Sequence, residues 1–203
     1  DAAALTDHNT CGNCAAFCQA AEAYGLLALP GMELCTREEV HIVCVFPDLE
    51  RAGAFQEEVY RSLGEARNDP AIFGRQLYLD TDDRVLGEES RLLAGATAIG
   101  VYEVPALVER YGGAAWPAHI DRPSFSLLSN LGLWDPGLGF SLAEVSRNCP
   151  PDFMPGRRDL RGVPTITGCD AHYLEQISDT GQFMEVPARS REAVLAWLRR
   201  GGA

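Results

Sequence analysis

Ala2-Ala3-Ala4-Leu5-Thr6-Asp7-His8-Asn9-Thr10 is an apolar run that ends abruptly in ionisable side chains. The apolar residues fit a short strand, so Asp7 and His8 lie just past its C-terminal end. The same order recurs along the chain. His119 follows the apolar segment 114–116, Asp170 and His172 follow 165–167, and Glu33 follows the segment ending at Leu29. Strand C-termini are where α/β barrels gather their functional side chains. One histidine near a strand end is commonly just a hydrogen-bonded polar residue. All four histidines of a chain near strand ends form a pattern. His41 departs from it by beginning its strand.

Farther along the chain, Cys14, Phe17, Cys18 and Ala21 share one helical face, so a helix is expected over 12–24, closed by Gly25. Leu26–Leu29 reads as a short buried strand stopped by Pro30-Gly31. Residues 32–35 and 40–46 form a hairpin. With its turn centred on Arg37, Glu33 faces His41, and opposed residues lie about 5 Å apart. A helix is expected over 47–63, a hairpin around Thr81-Asp82-Asp83 and a short helix over 88–94. Segment 64–95 reads as an insertion within a single domain spanning 1–203. A helix over 104–111, strands over 114–118, 141–145 and 165–167, and a closing helix over 191–200 behind Ser190 complete the chain. Residues 150–161 are a loop. Repeating strand–helix units imply a mostly parallel α/β sheet or barrel. The first strand reads as buried with nothing before it, which suggests native sequence upstream of Asp1.

Seventeen basic and twenty-nine acidic residues give a net charge of −12. That argues against long duplex nucleic acid, which needs a basic track. Small phosphorylated ligands stay open, since bound metal ions supply local positive charge. No apolar run reaches the ~20 residues of a membrane span. Seven cysteines without a regular framework point to a reducing cytoplasm. Cys11-Gly12-Asn13-Cys14 has redox or zinc spacing. However, Cys14 belongs to the apolar stripe and no second pair follows, so buried packing is expected.

Histidine with carboxylate suits Zn, Mn or Fe, and Asp170-Ala171-His172 puts two donors on one side of an extended segment. Taken in order, Thr6-Asp7-His8-Asn9-Thr10, Pro30-Gly31-Met32-Glu33, His41–Phe46, Pro117-Ala118-His119 and Gly168-Cys169-Asp170-Ala171-His172 resemble the PHP (polymerase and histidinol phosphatase) family.

The resemblance implies a distorted (β/α)7 barrel with two or three divalent metal ions at its C-terminal face. His8, Glu33, His41, His119, Asp170 and His172 would be ligands. His119 and Asp7 would be needed for catalysis, Asp7 by orienting a ligand or the adjoining strand. The family's first strand carries an H-x-H motif that this chain begins after, which implies an incomplete metal position and an inactive piece. The implied chemistry is hydrolysis of a phosphate ester by metal-activated hydroxide. The substrate would be a small phosphorylated compound, such as a nucleotide or an oligonucleotide end. Arg122 and Arg147, beyond strand ends, are candidates to hold its phosphate. The alternatives are a metal-stabilised binding or regulatory domain without catalysis, and a metal-dependent amidohydrolase on a similar barrel.

Overall fold

A computed structural model describes residues 1–177 and 183–202. In chain order its elements are β1 (Ala2–Leu5), α1 (Cys14–Ala23), β2 (Leu27–Cys35), β3 (His41–Val45), α2 (Leu49–Ser62) and α3 (Pro70–Phe73). There follow β4 (Leu77–Leu79), β5 (Val85–Glu88), α4 (Val104–Arg110), β6 (Ala114–Pro117) and α5 (Leu127–Leu131). The last are β7 (Ala143–Ser146), α6 (Phe153–Gly156), β8 (Thr165–Gly168) and α7 (Arg191–Arg199). Helices α2, α3, α5 and α7 begin at side-chain caps: in α2 Asp48 accepts from the Arg51 N–H, and in α7 Ser190 accepts from the Ala193 N–H. Each cap is worth about 1 kcal/mol. α1 stops before Gly25, whose φ of +70° suits a residue without Cβ. No described helix is long and apolar enough to cross a membrane.

Four strands form one sheet in the order β1-β2-β3-β6. β1 and β2 are parallel, whereas β3 runs antiparallel to both β2 and β6. The mostly parallel sheet expected from the sequence is therefore mixed, because the tight β2–β3 hairpin reverses β3. β7 and β8 form a parallel pair and β4 and β5 a hairpin. Among the described residues these ladders do not close a barrel. β6 and β7 meet instead through the Ile120 N–H to Glu144 O bond of 2.8 Å and the Trp116 Nε1–H to Glu144 Oε2 bond of 3.0 Å.

Several local expectations change. Pro30-Gly31 does not stop a strand: β2 runs through it. Pro30 takes the rung opposite Leu5, and its carbonyl accepts the Phe46 N–H at 2.9 Å. A Cβ on Gly31 would lie 2.5 Å from Cys44 O, so only glycine lets the strands close there. Residues 89–94 form no helix. The Gln76 amide instead takes Glu89 O, Arg91 O and the Leu93 N–H, and such side-chain bonds compete with helical ones. β1 is an edge strand with Ala2 and Ala4 exposed, not a buried one.

Strand alternation divides the interior. Met32, Leu34, Ile42 and Cys44 pack with Phe55, Val59, Val104 and Val108 of α2 and α4. Leu29, Val43, Val45 and Trp116 pack with Val194, Leu195, Trp197 and Leu198 of α7. Each fully buried large apolar side chain contributes roughly 1.5–3 kcal/mol. Glu33 lies opposite Val43, and His41 is two residues from Val43, so both carry their side chains to the second face.

Candidate metal centre

The six expected ligands come from five separate segments and meet in one cavity of about 250 Å³. The cavity is lined by His8, Glu33, His41, His119, Asp170 and His172, together with Arg122. His8 arrives on the continuation of β1, where an isolated bridge pairs it with Glu33. His41 opens β3, His119 follows β6, and Asp170 and His172 follow β8. Glu33 is the hub. Its Oε2 lies 3.1 Å from His8 Nδ1 and 3.2 Å from His41 Nδ1, and its Oε1 lies 3.5 Å from His119 Nε2. His172 Nδ1 lies 3.7 Å from Asp170 Oδ1, and its ring centroid is 6.3 Å from that of His8.

These donors fit divalent metal ions. Ligands bound at about 2.0–2.2 Å sit roughly 3–3.5 Å from one another, which is the spacing around Glu33. His8, Glu33 and His41 each offer an atom within 4.8 Å of the others. His8 Nδ1 and His119 Nδ1 are buried without a well-aligned hydrogen bond, although His8 Nδ1 is so near the carboxylate. Burial would raise the Glu33 carboxyl, but His119, His41 and His8 outweigh it and hold the group well below the usual carboxylate range. The Glu33 carboxylate pushes the His8 imidazole up against the opposing effect of burial.

The backbone is strained around the cavity. Asn9, His119, Phe125 and Asp170 have φ of +50°, +33°, +51° and +43°. L-residues enter this region rarely, and strain of this kind concentrates at functional sites. At His119 the chain turns sharply off β6, with the Arg122 N–H bonded to His119 O at 2.9 Å. That turn leaves the His119 side chain 3% exposed and facing Glu33.

Asp7 is beside the cavity but does not line it. Its Oδ2 accepts from Asn13 Nδ2 at 3.1 Å, its backbone oxygen accepts the Glu33 N–H at 3.0 Å, and burial raises its carboxyl. Arg122 reaches the cavity with Nη1 2.5 Å from Asp170 Oδ2. Arg147 stays outside it. Its guanidinium bonds Cys169 O and Gln176 O and so pins the loop that carries Asp170 and His172.

The sequence reading missed three features. Phe125 lines the cavity and stacks on His41, centroids 4.9 Å apart. Ala94 and Ser124 line it too. Glu144 is buried between Trp116 and Gly168, where a Cβ on Gly168 would lie 2.2 Å from Glu144 Oε1. Burial pushes its carboxyl up to about 7, against the pull of Trp116 and His119. A single carboxylate in the strand Ala143-Glu144-Val145 was the available signal.

Solved structures share this fold. The lesion-specific endonuclease PfuEndoQ from Pyrococcus furiosus aligns with a TM-score of 0.57 at 15% identity, over 86% of this chain and 38% of that one. A complex of Endonuclease Q with a 27-mer duplex carrying an abasic lesion at its active site aligns with a TM-score of 0.58 at 15% identity, over 86% and 39%. A Bifidobacterium adolescentis chain, for which metal-dependent phosphoesterase activity has been suggested, aligns with a TM-score of 0.57 at 17% identity, over 98% and 85%. This chain thus spans under two-fifths of the endonuclease's length. No family model matches the sequence, and no curated protein matches it.

The duplex complex overturns the exclusion of long duplex nucleic acid, because a protein of this fold holds a duplex at its active site. Net charge sums the whole surface, whereas a duplex meets a local patch that bound cations can make positive. The neighbours support the PHP-like reading of the sequence at the level of fold.

Proposed function

We propose that the chain is a metal-dependent phosphoesterase with His8, Glu33, His41, His119, Asp170 and His172 as its metal ligands. One observation carries this reading: six nitrogen and oxygen donors, remote in sequence, share one cavity with the arginine Arg122. Divalent metal ions held by these six residues would supply Lewis-acid chemistry, making water more acidic and polarising phosphoryl oxygens.

The chain's own residues complete the chemistry. Glu33 turns its two oxygens to different imidazoles, so a single side chain links His119 to the His8–His41 pair. Arg122 stands at the rim, 42% exposed, and its planar fork offers donors to phosphoryl oxygens. Phe125 covers one face of His41 and excludes water from it. Asp7 acts by position, holding a β1–β2 rung between two ligands. Arg147 acts likewise on the loop after β8. Segment 64–95 is, in this reading, an insertion that contributes Ala94 to the rim. The substrate is a phosphate ester, with nucleotides and oligonucleotide ends foremost.

The test is metal analysis combined with turnover of phosphomonoesters, phosphodiesters, oligonucleotides and duplexes with an abasic site, and amides as the contrasting class. His119→Ala is expected to abolish turnover while the chain stays folded. A fully metallated and active His119→Ala protein would defeat the assignment, as would faster turnover of amides.

A further inference from the structure

Two thiols beside the metal centre take no part in it. Cys11 Sγ and Cys14 Sγ both donate to a single oxygen, Gly31 O, at 3.2 and 3.3 Å. The Cys14 N–H bonds Cys11 O at 3.0 Å, which folds the four residues 11–14 into one turn. Such a turn holds its end Cα atoms within about 7 Å, the outer reach of a disulfide. All seven cysteines are free thiols here. Cys14 is the first residue of α1, and a helix N-terminus favours thiolate.

The surroundings tie this turn to the ligands. Between the Leu5–Pro30 rung and the His8–Glu33 bridge the β1–β2 ladder is interrupted, and there Gly31 O takes the thiols. Gly31 stands two residues before Glu33, and Cys11 three after His8. Asn13, inside the turn, holds Asp7 Oδ2 at 3.1 Å and the Leu79 N–H of β4 at 2.9 Å.

We propose that Cys11 and Cys14 form a reversible disulfide with a peroxide as oxidant, and that this bond weakens metal binding at the adjoining centre. Two S–H bonds and the peroxide O–O bond break and one S–S bond forms. The sulfurs give up an electron pair, and the oxygens of hydrogen peroxide leave as two waters. A dithiol reverses the step by exchange, ending as a disulfide itself. Oxidation takes both thiol donors from Gly31 O and so disturbs the strand segment that delivers Glu33.

The test treats the whole chain with hydrogen peroxide, quenches and unfolds it, then alkylates the remaining thiols and maps them by mass. Cys11 and Cys14 are expected to escape alkylation together, with the tryptic peptide Asp1–Arg37 lighter by two hydrogens and dithiothreitol restoring both thiols. Cys14→Ser is expected to abolish the linkage and Cys18→Ser to leave it. If Cys14→Ser does not fold, the mapping of the unsubstituted chain decides alone. Both thiols staying free while the exposed Cys169 is oxidised would overturn the site. Mn2+ titration of the two forms is expected to show about tenfold weaker binding after oxidation, the scale of changes just behind metal ligands. Equal affinity would overturn the coupling. Neither reading depends on turnover, so an inactive chain leaves this test intact.

Discussion

Glu33 Oε1 faces His119 Nε2 at 3.5 Å, while His8 and His41 share the other oxygen, Oε2. A single carboxylate therefore joins β2, β3 and the ends of β1 and β6. Removing one oxygen's charge affects both sides of the centre together. Glu33→Gln is expected to lower metal affinity by at least about a hundredfold, the upper range for residues merely behind the ligands. Titration calorimetry with Mn2+ or Zn2+ measures it, and a variant that binds as the parent does would refute the hub.

Glu144 gives a pH dependence with a definite sign. Its folded value of about 7 exceeds the ordinary 4.5. The native state thus keeps a proton that the unfolded chain has lost, and stability falls as pH rises through that window. The upper bound is roughly 3 kcal/mol for a shift of this size. Urea unfolding of metal-free protein at intervals from pH 4.5 to 7.5 is expected to show the decline, and Glu144→Gln to flatten it. His8, also raised, loses its contribution in the same direction but only above its ordinary 6.5. An identical slope in Glu144→Gln would assign the effect elsewhere.

Glu33 and His41 illustrate what the sequence could convey. Strand alternation puts both on one face, and the actual pairing is offset by two residues from the expected one, which restores the facing. The turn is where the reading slips. Glu39 takes a φ of +57°, and the hairpin centres on Glu38, not Arg37. The cavity-lining donors at strand ends are legible because period and position reveal them. Arg147 also follows a strand, yet its long side chain turns to two carbonyls, a choice made by tertiary contacts. Phe125 comes from a loop without periodicity, so nothing local marks it.

Asp170 combines a place in the cavity lining with a φ of +43°. Asparagine tolerates that backbone region and valine does not. Asp170→Asn is expected to shift the melting temperature by less than about 4 °C, equivalent to about 1 kcal/mol, and yet to lose metal. Asp170→Val should cost a further 1–3 kcal/mol or so from backbone strain. Equal melting temperatures for the two variants would show that the strain is not real.

Trp116 Nε1–H supplies the 3.0 Å bond to Glu144 Oε2 across the unladdered gap between β6 and β7. Trp116→Phe keeps most of the packing and removes the donor, leaving a buried oxygen unpaired at a cost of about 1–3 kcal/mol. A double-mutant cycle with Glu144→Leu, which removes the acceptor, is expected to show coupling above about 0.5 kcal/mol. Strict additivity in urea unfolding would mean that the two side chains do not bear on each other.

Arg147 tests whether a loop can be held remotely for the sake of its ligands. Its guanidinium reaches Cys169 O and Gln176 O, on either side of Asp170 and His172. Gln176 Oε1 adds bonds from the His172 and Tyr173 N–H groups at 2.7 and 3.2 Å. Arg147→Ala frees one clamp and leaves the other, so the loop loosens without the core unfolding. Turnover is expected to fall about tenfold to a hundredfold, as for other supports behind metal ligands, with limited proteolysis quickened at 169–177. Both bonds leave the single nitrogen Nη2, and an ammonium also has donors for two carbonyls, so Arg147→Lys is expected to rescue part of the loss. If instead Arg147→Ala raises KM alone, with kcat and proteolysis unchanged, the residue contacts substrate and the loop stands without it.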